Sequence, residues 1–109
     1  MTVGEMAKAL QLTPITVGDE SRAWSGVYIG DLLSWVMGRA ACDNAWITIM
    51  SNVNIVAVAT LVDVAVIILA EGVTLEESVR NTAAQKGVNV YTSEKTAYEL
   101  AKELAGLQP

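Results

Sequence analysis

Apolar and polar positions sort most sharply between Ala45 and Gly72. Ala45-Trp-Ile-Thr-Ile-Met50 gives way to a polar Ser51-Asn-Val-Asn54, then Ile55-Val-Ala-Val-Ala-Thr-Leu-Val62. Asp63 interrupts before Val64-Ala-Val-Ile-Ile-Leu-Ala70, and Glu71-Gly72 closes the stretch. Two short β-branched runs flank a longer Ala/Val-rich run. Strands buried on both faces carry continuous apolar runs of this kind, whereas half-buried strands alternate strictly. The pattern predicts a βαβ unit with strands near 46–50 and 64–69 lying parallel, and a helix over 53–62 between them.

The rest of the chain extends this unit on both sides. Thr2-Val-Gly-Glu5 has capping-box spacing, and Val3, Met6, Ala7 and Leu10 share one helical face, so residues 2–10 read as a helix ended by Thr13-Pro14. Ile15–Val17 and Trp24–Ile29 read as edge strands, the second with a bulge point at Gly26. Asp31 reads as the cap of a helix with Leu32, Leu33, Val36 and Met37 inward, closed by a left-handed Gly38. After the central unit, Thr74-x-x-Glu77 opens a helix over 75–86 with Leu75, Val79 and Ala83 buried and Gly87 at its end. A strand at 88–91 follows. Thr92 or Ser93 then caps a helix over 94–105 that buries Ala97, Leu100, Ala101 and Leu104. The order β-α-β-α-β-α with short connections predicts one α/β domain over residues 1–109, a three-layer α/β/α fold with a mostly parallel sheet.

Composition then removes function classes. The 109 residues carry no histidine and one cysteine, Cys42. His-based triads, His-ligated zinc, thiolate metal sites and CxxC redox pairs are excluded. Neither a GxxxxGK[ST] loop nor a GxGxxG fingerprint is present, and no cofactor is implied. The net charge of −5, with seven scattered basic residues, speaks against nucleic acid. Thr2-Val-Gly-Glu5 carries an acid where a signal peptide carries a base. The uncharged run from Ala45 to Val62 is split by Ser51, Asn52 and Asn54, so no membrane span is expected and the location reads as cytoplasmic. The apolar share of 52%, with Trp24, Trp35 and Trp46 in so short a chain, predicts a homodimer.

Parallel strands deliver their C-terminal loops to one edge of the sheet. That places Ser51, Asn52 and Asn54, then Glu71 and Gly72, then Thr92 and Ser93 around one candidate ligand rim, with Gly30-Asp31 as a possible neighbour. Each of these also has an ordinary reading as a helix cap or turn residue. Carboxylates are present, but no spacing singles out an acid–base pair, which leaves an enzyme of unknown reaction as the third reading.

Val27-Tyr-Ile-Gly-Asp-Leu-Leu-Ser-Trp-Val-Met37, Trp46-Ile-Thr-Ile49 and Asn54-Ile-Val-Ala-Val-Ala59 resemble the small stand-alone DRTGG-domain proteins of anaerobic bacteria. Asp63-Val-Ala-Val-Ile-Ile-Leu-Ala-Glu-Gly72 and Gly87-Val-Asn-Val-Tyr-Thr-Ser93 are also similar to the N-terminal domain of HPr kinase/phosphorylase. The resemblance implies a regulatory or protein-interaction module, possibly ligand-controlled, that accompanies catalysts without being one. It implies subunit contacts and a partner protein, such as a redox or hydrogenase-type complex. A small-molecule sensor for a nucleotide or an anion is the alternative. The name motif itself is altered: Met50-Ser51-Asn52 stands where the family tends to have Gly-Asp-Arg, and Ala70-Glu71-Gly72 where it has Thr-Gly-Gly.

Overall fold

In a computed structural model describing residues 1–108, the chain forms five helices and a five-stranded sheet. The helices are α1 (Val3–Ala9), α2 (Leu33–Arg39), α3 (Asn54–Val62), α4 (Glu77–Gln85) and α5 (Ala97–Leu107); the strands are β1 (Thr13–Thr16), β2 (Val27–Ile29), β3 (Ala45–Thr48), β4 (Val66–Leu69) and β5 (Val90–Thr92). The strand order is β1-β5-β4-β3-β2. The β2–β3, β3–β4 and β4–β5 pairs are parallel, and β1 runs antiparallel to β5. The parallel β3–β4 register, Ala45 beside Val66 through Thr48 beside Leu69, is the pairing the apolar runs predict.

Both faces of the sheet are apolar because successive strand residues face opposite layers. Ala45, Ile47, Val66, Ile68 and Tyr91 pack with α1 and α5 through Val3, Met6, Leu100 and Leu104. Trp46, Ile67, Leu69 and Val90 pack with α2, α3 and α4 through Val36, Ile55, Val56, Val79 and Ala83. This is a three-layer α/β/α arrangement. Fully burying each such Val, Ile or Leu side chain contributes about 1.5–3 kcal/mol. Among the described residues, no helix is long and apolar enough to cross a membrane.

Several local expectations give way to different chemistry. Asp31 does not cap α2: Leu32 holds that position without a side-chain bond, while the Asp31 carboxylate accepts from Thr48 Oγ1 (2.7 Å) and the Ile49 amide (3.0 Å). Tying the β2–α2 turn to β3 satisfies a buried hydroxyl, Thr48 being 2% exposed. Helix α2 runs through Gly38 and ends at an extended Ala40. Of its four expected inward residues, Val36 is fully buried, while Leu32 and Met37 are exposed. The capping box at Thr74 does not form, and Glu76 precedes α4 without a side-chain bond. The last helix is capped by Thr96, whose hydroxyl accepts from the Glu99 amide while Glu99 returns to the Thr96 amide. Thr92 belongs to β5 instead. The second strand begins at Val27, because Gly26, at φ 79°, breaks the extended run from Trp24. At the chain's start, the Thr2–Glu5 box forms as its spacing predicts.

The edge of the sheet holding the N-terminal ends of the parallel strands is latched by polar side chains. Arg22 donates to Asp43 (2.7 Å), to Asp63 (3.0 Å) and to the Asp63 carbonyl (2.7 Å). Burial pulls the Arg22 pKa down, but the bonds to Asp43 and Asp63 outweigh it and leave it raised. Both aspartates sit at positive φ, 67° and 65°, and the shared guanidinium holds those two turns together. Asn89, 3% exposed, accepts from the Gly18 amide and donates to the carbonyls of Asp19 and Ala65. Gly18 passes so close to the Gly87 backbone that a Cβ there would overlap the Gly87 carbonyl.

Candidate functional site

The opposite edge carries the loops that follow β2, β3, β4 and β5, and it gathers the predicted rim residues unequally. The loop after β4 turns tightly at Ala70-Glu71-Gly72-Val73, with the Val73 amide bonded to the Ala70 carbonyl at 3.2 Å. Glu71 and Gly72 both have positive φ, 57° and 73°, which marks a type I′ turn. The positive φ is what favours glycine at position 72; the Glu94 carboxylate, 2.6 Å from where a Cβ would stand, is the end of an exposed side chain that can swing aside. The amides of this turn are already engaged. Glu71 N–H donates to the Lys95 carbonyl and Gly72 N–H to the Ser93 carbonyl, each at 2.8 Å.

Thr92 and Ser93 meet that turn, and their hydroxyls are occupied as well. Thr92 Oγ1 donates to the Val73 carbonyl at 2.6 Å, and Ser93 Oγ accepts from the Lys95 amide at 3.1 Å. The two loops are therefore joined, with most of their polar groups spent on one another. The side chains of Glu71 and Glu94 in these loops are exposed.

The loop after β3 is different. Val53 already has helical dihedrals (φ −62°, ψ −21°), and Asn52 Oδ1 accepts from the Asn54 amide at 3.0 Å. Asn52 thus acts as the cap of α3, one residue ahead of the helix's regular hydrogen bonding. Ser51, Asn52 and Val53 line an open hollow of about 390 Å³, with Glu76, Ser78 and Val79 forming its other wall. Two helix N-termini, those of α3 and α4, converge there. The Asn54, Ile55 and Val56 amides of α3 are already bonded to Asn52 and Val53, so what offsets the Glu76 carboxylate is the partial positive charge of the two helix ends. Glu76, Ser78 and Val79 were not among the sequence candidates. The misplaced capping box at Thr74 had assigned this segment a purely local role, and nothing in the linear pattern places it beside Ser51.

Asn54 leaves the rim altogether. It lies on the outer face of α3, where it borders two grooves, one toward α2 and one toward α4. The parallel strands run β2-β3-β4-β5 without a reversal. Their connecting helices α2, α3 and α4 therefore share one face, and the sheet has no switch point at which adjacent loops part to open a crevice. That is why the loops gather at one edge yet enclose only a hollow between helix ends.

Among the described residues, no group of three His, Cys, Asp or Glu side chains is placed to hold a metal ion. Cys42 sits at the latched edge, 3.6 Å from Asp63 Oδ2. Desolvation, together with the neighbouring Asp43 and Asp63 charges, raises its pKa and holds it as the thiol.

No family model matches the chain, and no curated protein matches it. Among solved structures, it is similar to the CBS and DRTGG domains of the regulatory region of Clostridium perfringens pyrophosphatase, determined in complex with its activator diadenosine tetraphosphate. The TM-score is 0.76 at 11% identity, over 99% of this chain and 47% of that one. The chain thus spans about half of that regulatory region, and what the two share is the three-layer α/β fold.

Proposed function

We propose that this chain is a non-catalytic regulatory module of the DRTGG type, related to the domain that opens HPr kinase/phosphorylase, which engages a partner protein under control of a small ligand. The observation that carries the reading is the fold: nearly the whole chain superposes on half of a regulatory region crystallised with its activator. The hollow between Ser51–Val53 and Glu76–Val79 is where a controlling ligand fits. Neutral amide and hydroxyl groups from Asn52, Ser51 and Ser78 orient a polar ligand without doing chemistry on it. Glu76 on the wall and Glu71 on the neighbouring turn oppose dense negative charge, so the ligand is polar or singly charged rather than a triphosphate.

The alternative, a nucleotide or anion sensor, draws on the same two helix N-termini. A thermal-shift series separates the two, using adenosine, acetate, ATP and diadenosine tetraphosphate on the wild-type chain and on Ser78→Asp. A ligand at ten times its Kd stabilises by about 1.4 kcal/mol, which moves the midpoint of a domain this size by roughly 5–10 °C. Shifts from neutral or singly charged compounds that Ser78→Asp abolishes support the leading reading. Shifts from ATP or diadenosine tetraphosphate alone transfer the case to the sensor. Shifts indifferent to Ser78→Asp place any ligand elsewhere and overturn the hollow as the site.

A further inference from the structure

We propose that this chain pairs with a second copy of itself across α3. The two helices run antiparallel and cross at Ala57, with Leu61 of each copy seated in the α2–α3 groove of the other. This stands independently of the ligand hollow.

The starting point is the outward crest of α3. Ile55, Val56, Val58 and Ala59 take the core, which leaves Asn54, Ala57 and Leu61 along the outside at helical spacing i, i+3, i+7. Leu61 is 71% exposed, a large apolar side chain with nothing over it. The crest is flanked by two apolar grooves. One, of about 320 Å³, is walled by Leu33 and Met37 of α2. The other, of about 490 Å³, is bounded by Thr82 and Lys86 of α4.

This relief is complementary to itself. A small residue, Ala57, sits at the middle of the crest, where two helix backbones must approach. A knob, Leu61, stands about 6 Å along the axis on one side, four residues at 1.5 Å each. A twofold axis through Ala57 sets that knob opposite Val53 and Asn54 of the other copy, where both grooves are open. An isologous contact requires this reciprocity, residue i meeting j while j meets i. A partner of different sequence would not need knob and groove on the same patch.

Charge selects the same face. Each copy carries −5, so two copies repel unless they meet where carboxylates are absent. Helix α3 holds no charged residue, and its groove walls contribute only Lys86. The outer face of α5, with Lys95, Glu99, Lys102 and Glu103 around one hollow, offers no such surface. The tryptophans are not the basis of this pairing. Trp24 and Trp46 are buried, and Trp35 is covered on one face by Arg39, 3.5 Å from its ring centre.

Sedimentation velocity between 1 and 100 µM tests the pairing on the wild-type chain, on Leu61→Asp and on Tyr98→Asp. Both changed residues are more than two-thirds exposed, so both variants fold, which circular dichroism checks. The expected result is a dimer for the wild type and for Tyr98→Asp, and a monomer for Leu61→Asp with its dissociation constant raised at least about 100-fold, as for a central interface anchor. A wild type that stays monomeric at 100 µM overturns the proposal. So does a Leu61→Asp variant that remains a dimer.

Discussion

Replacing Asn89 by leucine removes three hydrogen bonds and leaves no cavity, while methyls set at the 2.8–3.0 Å of the lost bonds add an overpacking cost to the bond losses counted below. The Gly18 amide, 2.8 Å from Asn89 Oδ1, loses its acceptor. The carbonyls of Asp19 and Ala65, 2.9 and 3.0 Å from Nδ2, lose a donor. Gly18 and Asp19 are exposed and regain water, so each bond there is worth about 0.5–1.5 kcal/mol net. Ala65 is 2% exposed, so its carbonyl has no such recourse and costs about 1–3 kcal/mol. The total is about 2–6 kcal/mol, a large part of the roughly 5–10 kcal/mol expected for a domain this size. Urea unfolding followed by circular dichroism reads it directly. With a slope of about 1–1.5 kcal/mol/M, the midpoint falls by at least about 1.3 M at unchanged slope. A fall below about 0.5 M would refute the claim that Asn89 fastens the β1 edge to the parallel core. Asn89→Asp adds a pH signature. It keeps the acceptor but aims a carboxylate at two carbonyls, which raises the folded pKa above the ordinary value of about 3.9. A raised pKa means the folded state holds the extra proton. The variant's deficit relative to wild type is therefore smallest below pH 4 and grows as pH rises.

Two further outcomes follow from the helix caps. Asn52→Ala costs about 1 kcal/mol, as loss of a cap does, whereas Asn54→Ala, past the cap and on the outer face of α3, stays within about 0.5 kcal/mol; a cost of 1 kcal/mol or more for Asn54→Ala in urea unfolding would reverse this assignment. The Thr96 backbone amide, and then its hydroxyl, hold the Glu99 carboxyl below its ordinary 4.5. A depressed folded pKa stabilises above the ordinary value and is lost as pH falls through the folded one, so the thermal-midpoint gap between wild type and Glu99→Gln narrows below pH 4.5. A gap as wide at pH 3.5 as at pH 7 would show that the cap does not titrate.

The central unit was legible because its signals are periodic and intrinsic. Apolar runs rich in β-branched residues read as strands near 46–50 and 64–69 and form them at Ala45–Thr48 and Val66–Leu69, and the run between them is long enough only for a helix. The caps were harder because a capping box is a local competition. Thr96-x-x-Glu99 and Thr74-x-x-Glu77 carry the same spacing, yet only the first forms. The stretch from Val73 to Glu76 is held extended by its tie to Thr92, so α4 begins three residues past Thr74. Asp31 shows the same limit. Its carboxylate reaches a buried threonine hydroxyl seventeen residues away, a partner with no mark in the linear pattern.

The polar side chains of this fold divide between the two ends of its sheet, and the division says what each end is for. At the ends where the parallel strands begin, Arg22, Asp43, Asp63 and Asn89 use their hydrogen-bonding capacity on one another and on backbone. Their partners lie 21 to 71 residues apart, so they staple distant segments. At the ends where the strands finish, the loops after β4 and β5 spend most of their polar groups on each other, and an open hollow lies between the starts of α3 and α4. Helix α3 then belongs to both functions proposed here. Its first turn walls the hollow through Val53, and its outer crest from Asn54 to Leu61 faces the second copy. A ligand that settles at the N-terminus of α3 shifts pairing only by the difference in its affinity for the paired and unpaired forms, and Val53 lines both the hollow and the larger groove.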